Sequence, residues 1–253
     1  MDPGYRSPLV DLFRRGEAPR DVRLLAASGA LAPRAHEQLA LLVLLTDDAD
    51  ALVSAQAAAT IENLPRPALE AFLAREDVPE EMRECLAARG FAPGAVAAED
   101  ASEPLIDTLA EAPEDGDKPE ETRVLSSLPI TDRLKLAMKG TREQRAQLIR
   151  DSNRMVASAV LSSPKLTESE IEAFAKMANV SEDVLRVIAA NRGWLKNYGV
   201  VIGLARNPKT PPAVSMQLLH RLNERDTKML STDRNVPEAL RLAARKLALK
   251  KLG

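Results

Sequence analysis

A short pattern returns three times in the second half of the chain: a proline opens a helical stretch, and an Asn-Arg or Asp-Arg pair follows about seven turns later. The copies run Pro129 to Asn153-Arg154, Pro164 to Asn191-Arg192 and Pro208 to Asp233-Arg234, with proline-to-arginine spacings of 25, 28 and 26 residues. The second and third also share Pro164-Lys165-Leu166-Thr167 and Pro208-Lys209-Thr210-Pro211. Units that recur every 35 to 44 residues cannot each bury their own apolar face, so they must stack on a neighbour. The pattern predicts an all-α fold, an α-solenoid, and points to binding rather than catalysis.

The residue types agree. Aromatics make up 3% of the chain, while Ala and Leu, both strong helix formers, dominate its apolar 45%. Little Val, Ile or Thr occurs in runs, so sheet is not expected. The single cysteine, Cys85, excludes an intramolecular disulfide framework and suits a reducing compartment. No signal-like segment opens the chain, and the strongly apolar run Leu39 to Leu45 is too short to span a bilayer. The expectation is a cytoplasmic protein without membrane association; the Ala/Arg/Leu bias suits a GC-rich bacterial genome.

A net charge of −2 conceals a strong polarity along the chain. Residues 1–91 carry 10 basic and 15 acidic groups, residues 92–122 carry 1 and 10, and residues 123–253 carry 24 and 12. Three parts follow: an acidic N-terminal helical block (1–91), a flexible acidic Ala/Pro/Glu linker (92–122) and a basic helical-repeat domain (123–253). The linker has too little apolar surface to offset the entropy of ordering it. Its one apolar island, Leu105, Ile106 and Leu109, is either a docking segment or a transient helical turn.

Prolines at first turns and local caps place the helices. The first block reads as helices near 8–15, 19–27, 33–45, 48–64, 67–75 and 79–89. The second reads as helices near 131–139, 141–151, 154–162, 168–178, 182–190, 193–205, 212–222, 224–232 and 237–251. Thr167 with Glu170 forms a capping box, Ser181 and Thr131 precede acidic first turns, and Thr141 and Asn153 open helices. Ile171, Phe174, Ala175 and Ala178 make one apolar stripe, and Leu240, Ala243, Ala244 and Leu247 another.

Units such as Asn153-Arg154-Met155-Val156-Ala157 and Leu44-Leu45-Thr46-Asp47-Asp48-Ala49-Asp50-Ala51-Leu52-Val53 resemble the HEAT-like and leucine-rich-variant helical repeats of bacterial proteins. The resemblance covers most of the chain outside the linker. It implies an α-solenoid whose surfaces recruit partners, and it carries over no catalytic residue.

Arg154, Arg192 and Arg234 could form a ladder able to take carboxylates or phosphates in a bidentate manner. Alternatively Asn153, Asn191 and Asp233 cap helix ends while each arginine ties neighbouring units together, which explains the residue types without a ligand. On the last helix Arg241 and Arg245, and Lys246 and Lys250, are i, i+4 pairs away from the apolar stripe, giving a cationic face. Trp194 and Tyr198, i and i+4 beside Arg192 and Lys196, could stack a base or anchor a partner, or simply pack between units.

No catalytic, metal or cofactor constellation is present. His36 and His220 have no His or Cys at ligand spacing, and no base accompanies Cys85. Asp47, Asp48 and Asp50 lack the glycine and glutamate of a calcium loop, so helix capping explains them better. The expected function is a non-enzymatic protein–protein interaction scaffold with a basic C-terminal surface for an unidentified acidic partner. The alternative is nucleic-acid binding by the same block; a helical-repeat DNA-modifying enzyme ranks last. Opposite charge would also let the acidic linker dock within the molecule.

Overall fold

A computed structural model describes residues 2–32, 34–101, 103–107 and 125–250, the last without its side chain. All fifteen α-helices and two short 3₁₀ turns lie among these residues, and no strand does. The chain forms two compact units that do not divide at the acidic stretch. One comprises residues 1–148 and 158–165; the other comprises 149–157 and 166–253.

The first unit contains α1 (Pro8–Arg14), α2 (Arg20–Ala27), α3 (Ala35–Leu45), α4 (Ala51–Glu62), α5 (Arg66–Leu73), α6 (Glu80–Ala87), α7 (Ile130–Lys139) and α8 (Arg142–Leu148). Prolines 8, 19, 65, 79 and 129 sit at or just before helix starts, where a missing N–H costs nothing. The apolar run read from the sequence becomes α3, buried nearly all round, with α2 and α4 packed on it. Each fully buried leucine there contributes about 1.5–3 kcal/mol by leaving water. No helix among the described residues is long and apolar enough to cross a membrane.

The described part of the acidic stretch is docked rather than free. Gly94 and Ala98 donate backbone N–H groups to Glu70 O and Ala71 O, both at 2.8 Å, and Arg75 donates to Ala98 O. Farther on, Ala35 N–H donates to Glu103 O at 3.0 Å, and the Gln38 carboxamide holds Leu105 and Ile106. Of the two readings open for the apolar island, the structure takes docking at Leu105 and Ile106. Leu109 and the rest of 108–124 lie outside the described residues.

α9 (Arg154–Ser162) begins in the second unit and ends in the first. The second unit continues with α10 (Glu168–Lys176), α11 (Glu182–Ala190), α12 (Tyr198–Arg206), α13 (Pro212–Leu219), α14 (Glu224–Leu230) and α15 (Glu238–Lys250). α12 lies close on α10 because two glycines four residues apart clear the way. A Cβ on Gly203 would stand 3.1 Å from Lys176 Cγ and 3.2 Å from Ala175 Cβ, and one on Gly199 would meet the Glu172 carboxylate. At the far end of α12 the buried Asn207 amide donates to Ala175 O and Met177 O, both at 2.9 Å, closing the C-terminus of α10.

Three local expectations are corrected. The helix expected over 193–205 is a 3₁₀ turn at Trp194–Lys196 and then α12, broken at Asn197, whose side chain caps Gly199 N–H at 2.7 Å. Thr131 is not a cap, because Pro129 opens α7 at Ile130. Ala178 is exposed, because α10 stops at Lys176, two residues short of it.

Candidate interaction surface

The recurrent Asn/Asp positions are turns first and foremost. Asp151, Asn191 and Asp233 each accept the backbone N–H two residues on, at 2.8, 2.9 and 3.0 Å, at the ends of α8, α11 and α14. The register of the repeat therefore shifts by two in its first copy: the counterpart of Asn191 is Asp151, not Asn153. Asn153 instead caps the start of α9, accepting from Met155 N–H at 2.9 Å. The residues after the turn are then Ser152, Arg192 and Arg234, so Arg154 does not belong to a periodic ladder.

The helix starts recur in step. Thr141 accepts from Gln144 N–H while Gln144 Oε1 accepts from Thr141 N–H; Ser181 caps α11 and Asn223 caps α14. The capping box at Thr167 and Glu170 has both of its hydrogen bonds. Likewise Ser163 Oγ donates to Met138 O near the end of α7, as Asn207 does at the end of α10 forty-four residues later.

The predicted cations fare differently from one another. Arg154 Nε pairs with Asp183 at 2.9 Å, across to α11. Arg192 and Arg234 are exposed and have no ion pair or side-chain hydrogen bond among the described residues; the same holds for Lys196, Arg245 and Lys246. Arg241 is half-buried beside the seam formed by Leu240 and Ala244, while Leu242 and Leu249 on the outer side of α15 are 50% and 66% exposed. The side chain of Lys250 lies outside the described residues.

Trp194 and Tyr198 do not share a helix. Trp194 is half-buried in its 3₁₀ turn with its backbone N–H on Asn191 Oδ1, and Arg221 holds the same turn through Leu195 O at 2.6 Å. Tyr198 donates its hydroxyl to Asp226 Oδ2 at 2.5 Å and accepts Asn223 N–H at 3.1 Å. Desolvation, followed by that bond to Asp226, pushes the phenol's pKa above its ordinary value. A carboxylate beside the ring makes this a poor place for a phosphate.

Next to Asp226 lies a cleft of about 780 Å³, bordered by Lys176, Gly203, Arg206, Asn207, Asp226 and Asp233. Its cations are already matched, Lys176 with Glu172 at 2.5 Å and Arg206 with Asp233 at 3.4 Å. Elsewhere, Cys85 is buried and its thiol is pushed up mainly by that burial. His36 stacks on Tyr5 and meets the edge of Phe72. Among the described residues no group of three or more His, Cys, Asp or Glu is placed to hold a metal.

Sequence reasoning missed Gln38 and Glu37. Their signal was present: two polar residues within Ala35–Leu45, an otherwise apolar helix, must find partners or be destabilising. No protein-family model matches the chain, and no curated protein or solved structure does either.

Proposed function

We propose that the chain is a non-enzymatic interaction scaffold, an α-solenoid of HEAT-like repeats, whose C-terminal cations hold an acidic protein partner. What supports the repeat is the recurrence of caps, Asx turns and C-terminal clamps through α7 to α14, each at the same place in successive helix triplets. One observation carries the binding role: Arg192, Lys196, Arg234, Arg245 and Lys246 are exposed and unmatched among the described residues, whereas most arginines of the first unit are spent on internal carboxylates or carbonyls. Free cations attract an acidic surface and speed its encounter. A protein partner is favoured over nucleic acid because Tyr198 is committed to a carboxylate and few other aromatics offer a stacking platform. The lone buried cysteine suits a reducing, cytoplasmic setting.

The test is fluorescence anisotropy of the full chain with a labelled oligoglutamate peptide and with short single-stranded DNA, each titrated across salt. Affinity for the peptide should fall with added salt, and Arg192→Ala/Arg234→Ala/Arg245→Ala/Lys246→Ala should weaken it by about ten-fold or more. Absence of binding at low salt, or no loss in the variant, would refute the proposal. Tighter binding to DNA with a steep salt slope would turn the reading to nucleic acid.

A further inference from the structure

The contact around Gln38 differs in kind from ordinary loop packing. Gln38 is 1% exposed and sits on the core helix α3. All of its carboxamide contacts are to main chain. Nε2 donates to Gly29 O at 2.8 Å and to Ile106 O at 2.7 Å; Oε1 accepts from Leu105 N–H at 2.8 Å and from Ile106 N–H at 3.2 Å. One helical turn earlier, Ala35 N–H, an otherwise unpaired donor at the start of α3, takes the carbonyl of Glu103. Four hydrogen bonds thus read the backbone of residues 103–106.

Side chains add two features. Ile106 reaches Gly29, where a Cβ would stand 3.1 Å from its Cδ1; Gly29 holds φ +79°, so both its conformation and its missing side chain open the space. Asp107 pairs with Lys139 Nζ at 2.5 Å. Leu105 and Ile106 themselves are only half-buried, so the segment is laid on the unit rather than built into its core.

We infer that the turn after α2, α3 and Lys139 form a peptide site, occupied in cis by residues 103–107 in a bent conformation, and that a separate peptide carrying two apolar residues followed by a carboxylate competes for it. The reason is the burial of Gln38. If the cis segment leaves, a carboxamide in an apolar helix loses three of its four hydrogen bonds, so an occupant of matching backbone geometry is strongly favoured over none. Main-chain recognition makes the site tolerant of sequence; the Gly29 space and Lys139 supply the selectivity. A tethered occupant acts at an effective concentration on the order of millimolar, so the cis segment masks the site against weak competitors.

The probe is a fluorescein-labelled peptide Ser-Glu-Pro-Leu-Ile-Asp-Thr, titrated into the full chain and into Leu105→Pro/Ile106→Pro, which removes both N–H donors to Gln38 Oε1, evicts the cis segment and leaves Gln38 untouched. The evicted variant should bind saturably and at least about ten-fold more tightly than the natural chain. Adding Gln38→Leu, which keeps the volume and the helix, should abolish that gain, and an Asp-to-Asn peptide should bind a few-fold more weakly. Failure of the evicted variant to bind while its far-UV circular dichroism is unchanged would overturn the inference, as would indifference to Gln38→Leu. Should the evicted variant not fold, hydrogen exchange on the natural chain decides. Excess peptide must speed exchange at the amides of Leu105 and Ile106; unchanged rates at millimolar peptide would refute the site.

Discussion

The pair α5–α6 in the first unit and the pair α10–α11 in the second are built on the same interior. Glu70-Ala71-Phe72 recurs as Glu172-Ala173-Phe174, Val78 as Val180 and Ala87-Ala88 as Ala189-Ala190, all 102 residues apart. Leu69, Phe72, Leu73, Val78, Met82 and Leu86 are buried, and so are Ile171, Phe174, Ala175, Val180, Val184 and Ile188 at the matching positions. The other positions diverge. Arg75 and Arg83 donate to the carbonyls of Ala98 and Leu73 in the first pair, while their counterparts are Met177 and the fully buried Leu185. In the α5–α6 pair, then, two arginines fasten the unit's own chain, whereas apolar residues stand at the two matching positions of α10–α11 and Arg192, just after that pair, faces solvent. An interior pattern fixes the helix pair, and the residues around it decide whether its polar surface is used internally or offered outward.

The strongest way to break this comparison is through the shared phenylalanine. Phe72 and Phe174 are each 1% exposed, so Phe72→Ala and Phe174→Ala should each cost about 3–5 kcal/mol through lost transfer energy and the cavity left behind. Urea unfolding followed by circular dichroism for the first, and by the fluorescence of Trp194 for the second, measures both. A loss below about 1 kcal/mol at either site would mean the two pairs are alike in sequence but not in packing.

Next comes the clamp at the end of α12. Asn207→Ala removes three hydrogen bonds, two to the carbonyls of Ala175 and Met177, which lose their buried partner, and one from Lys209 N–H at 3.0 Å, and should cost about 1–3 kcal/mol. Ser163→Ala removes one bond, to Met138 O, and should cost about 1 kcal/mol. Equal effects in urea titrations would show that the two further bonds of Asn207 contribute nothing.

These residues also show where sequence reading stops. Pro164-Lys165 and Pro208-Lys209 were visible as a repeat, but the carbonyls closed by the residues before them, Ser163 and Asn207, lie 25 to 32 residues away, beyond any local pattern. Caps were legible because their partners are three residues off: Thr167 with Glu170, Ser181 with Val184, and the starts of α10 and α11 follow from them. The break at Asn197 escaped because apolar residues run on through it, and only its side chain's bond to Gly199 N–H tips the backbone out of the helix. Docking of Leu105 and Ile106 was one of two readings of the sequence, but where they dock was hidden by composition. An acidic, Pro- and Ala-rich stretch lacks the apolar surface to order itself, and what orders it is a glutamine 67 residues earlier.

The neighbour of that glutamine gives a prediction of sign. Glu37 is buried, and burial raises its pKa above 4.5 despite hydrogen bonds from Ser7 and Ser162 and the charge of Arg34. Its Oε2 has no partner among the described residues. A carboxyl raised in the folded state binds protons that the unfolded chain has released, so its contribution is complete below the unfolded pKa and is lost as pH rises through the folded one. Glu37→Gln should therefore flatten the decline in Tm that Glu37 causes as pH rises above 4.5, stabilising the first unit relative to the natural chain at the alkaline end of a pH 5–8 series. His36, lowered chiefly by burial, acts in the opposite direction: its contribution is complete above 6.5 and is lost as pH falls through its lowered folded value. Thermal melts of both chains across this range separate the two. A Glu37→Gln profile that runs parallel to the natural one would show that Glu37 is already ionised in the fold.

The finest distinction between the two pairs lies at one helix start. Ser181 caps α11 through Val184 N–H, whereas Pro79, 102 residues earlier, precedes α6 with no side-chain bond at all. Ser181→Ala should cost about 1 kcal/mol, because an orphan N–H loses its acceptor. Pro79→Ala loses no such bond; its effect comes through the unfolded chain, which gains freedom when the fixed φ is removed, and should be about 0.5 kcal/mol. Pro79→Ser adds the missing acceptor while giving up the same rigidity, so the two changes should nearly cancel. If Pro79→Ser instead costs as much as Ser181→Ala, the serine hydroxyl is not what holds α11's first turn, and the difference between the pairs must be sought in Glu182 and Asp183 against Glu80 and Glu81, whose charges face the same helix dipole.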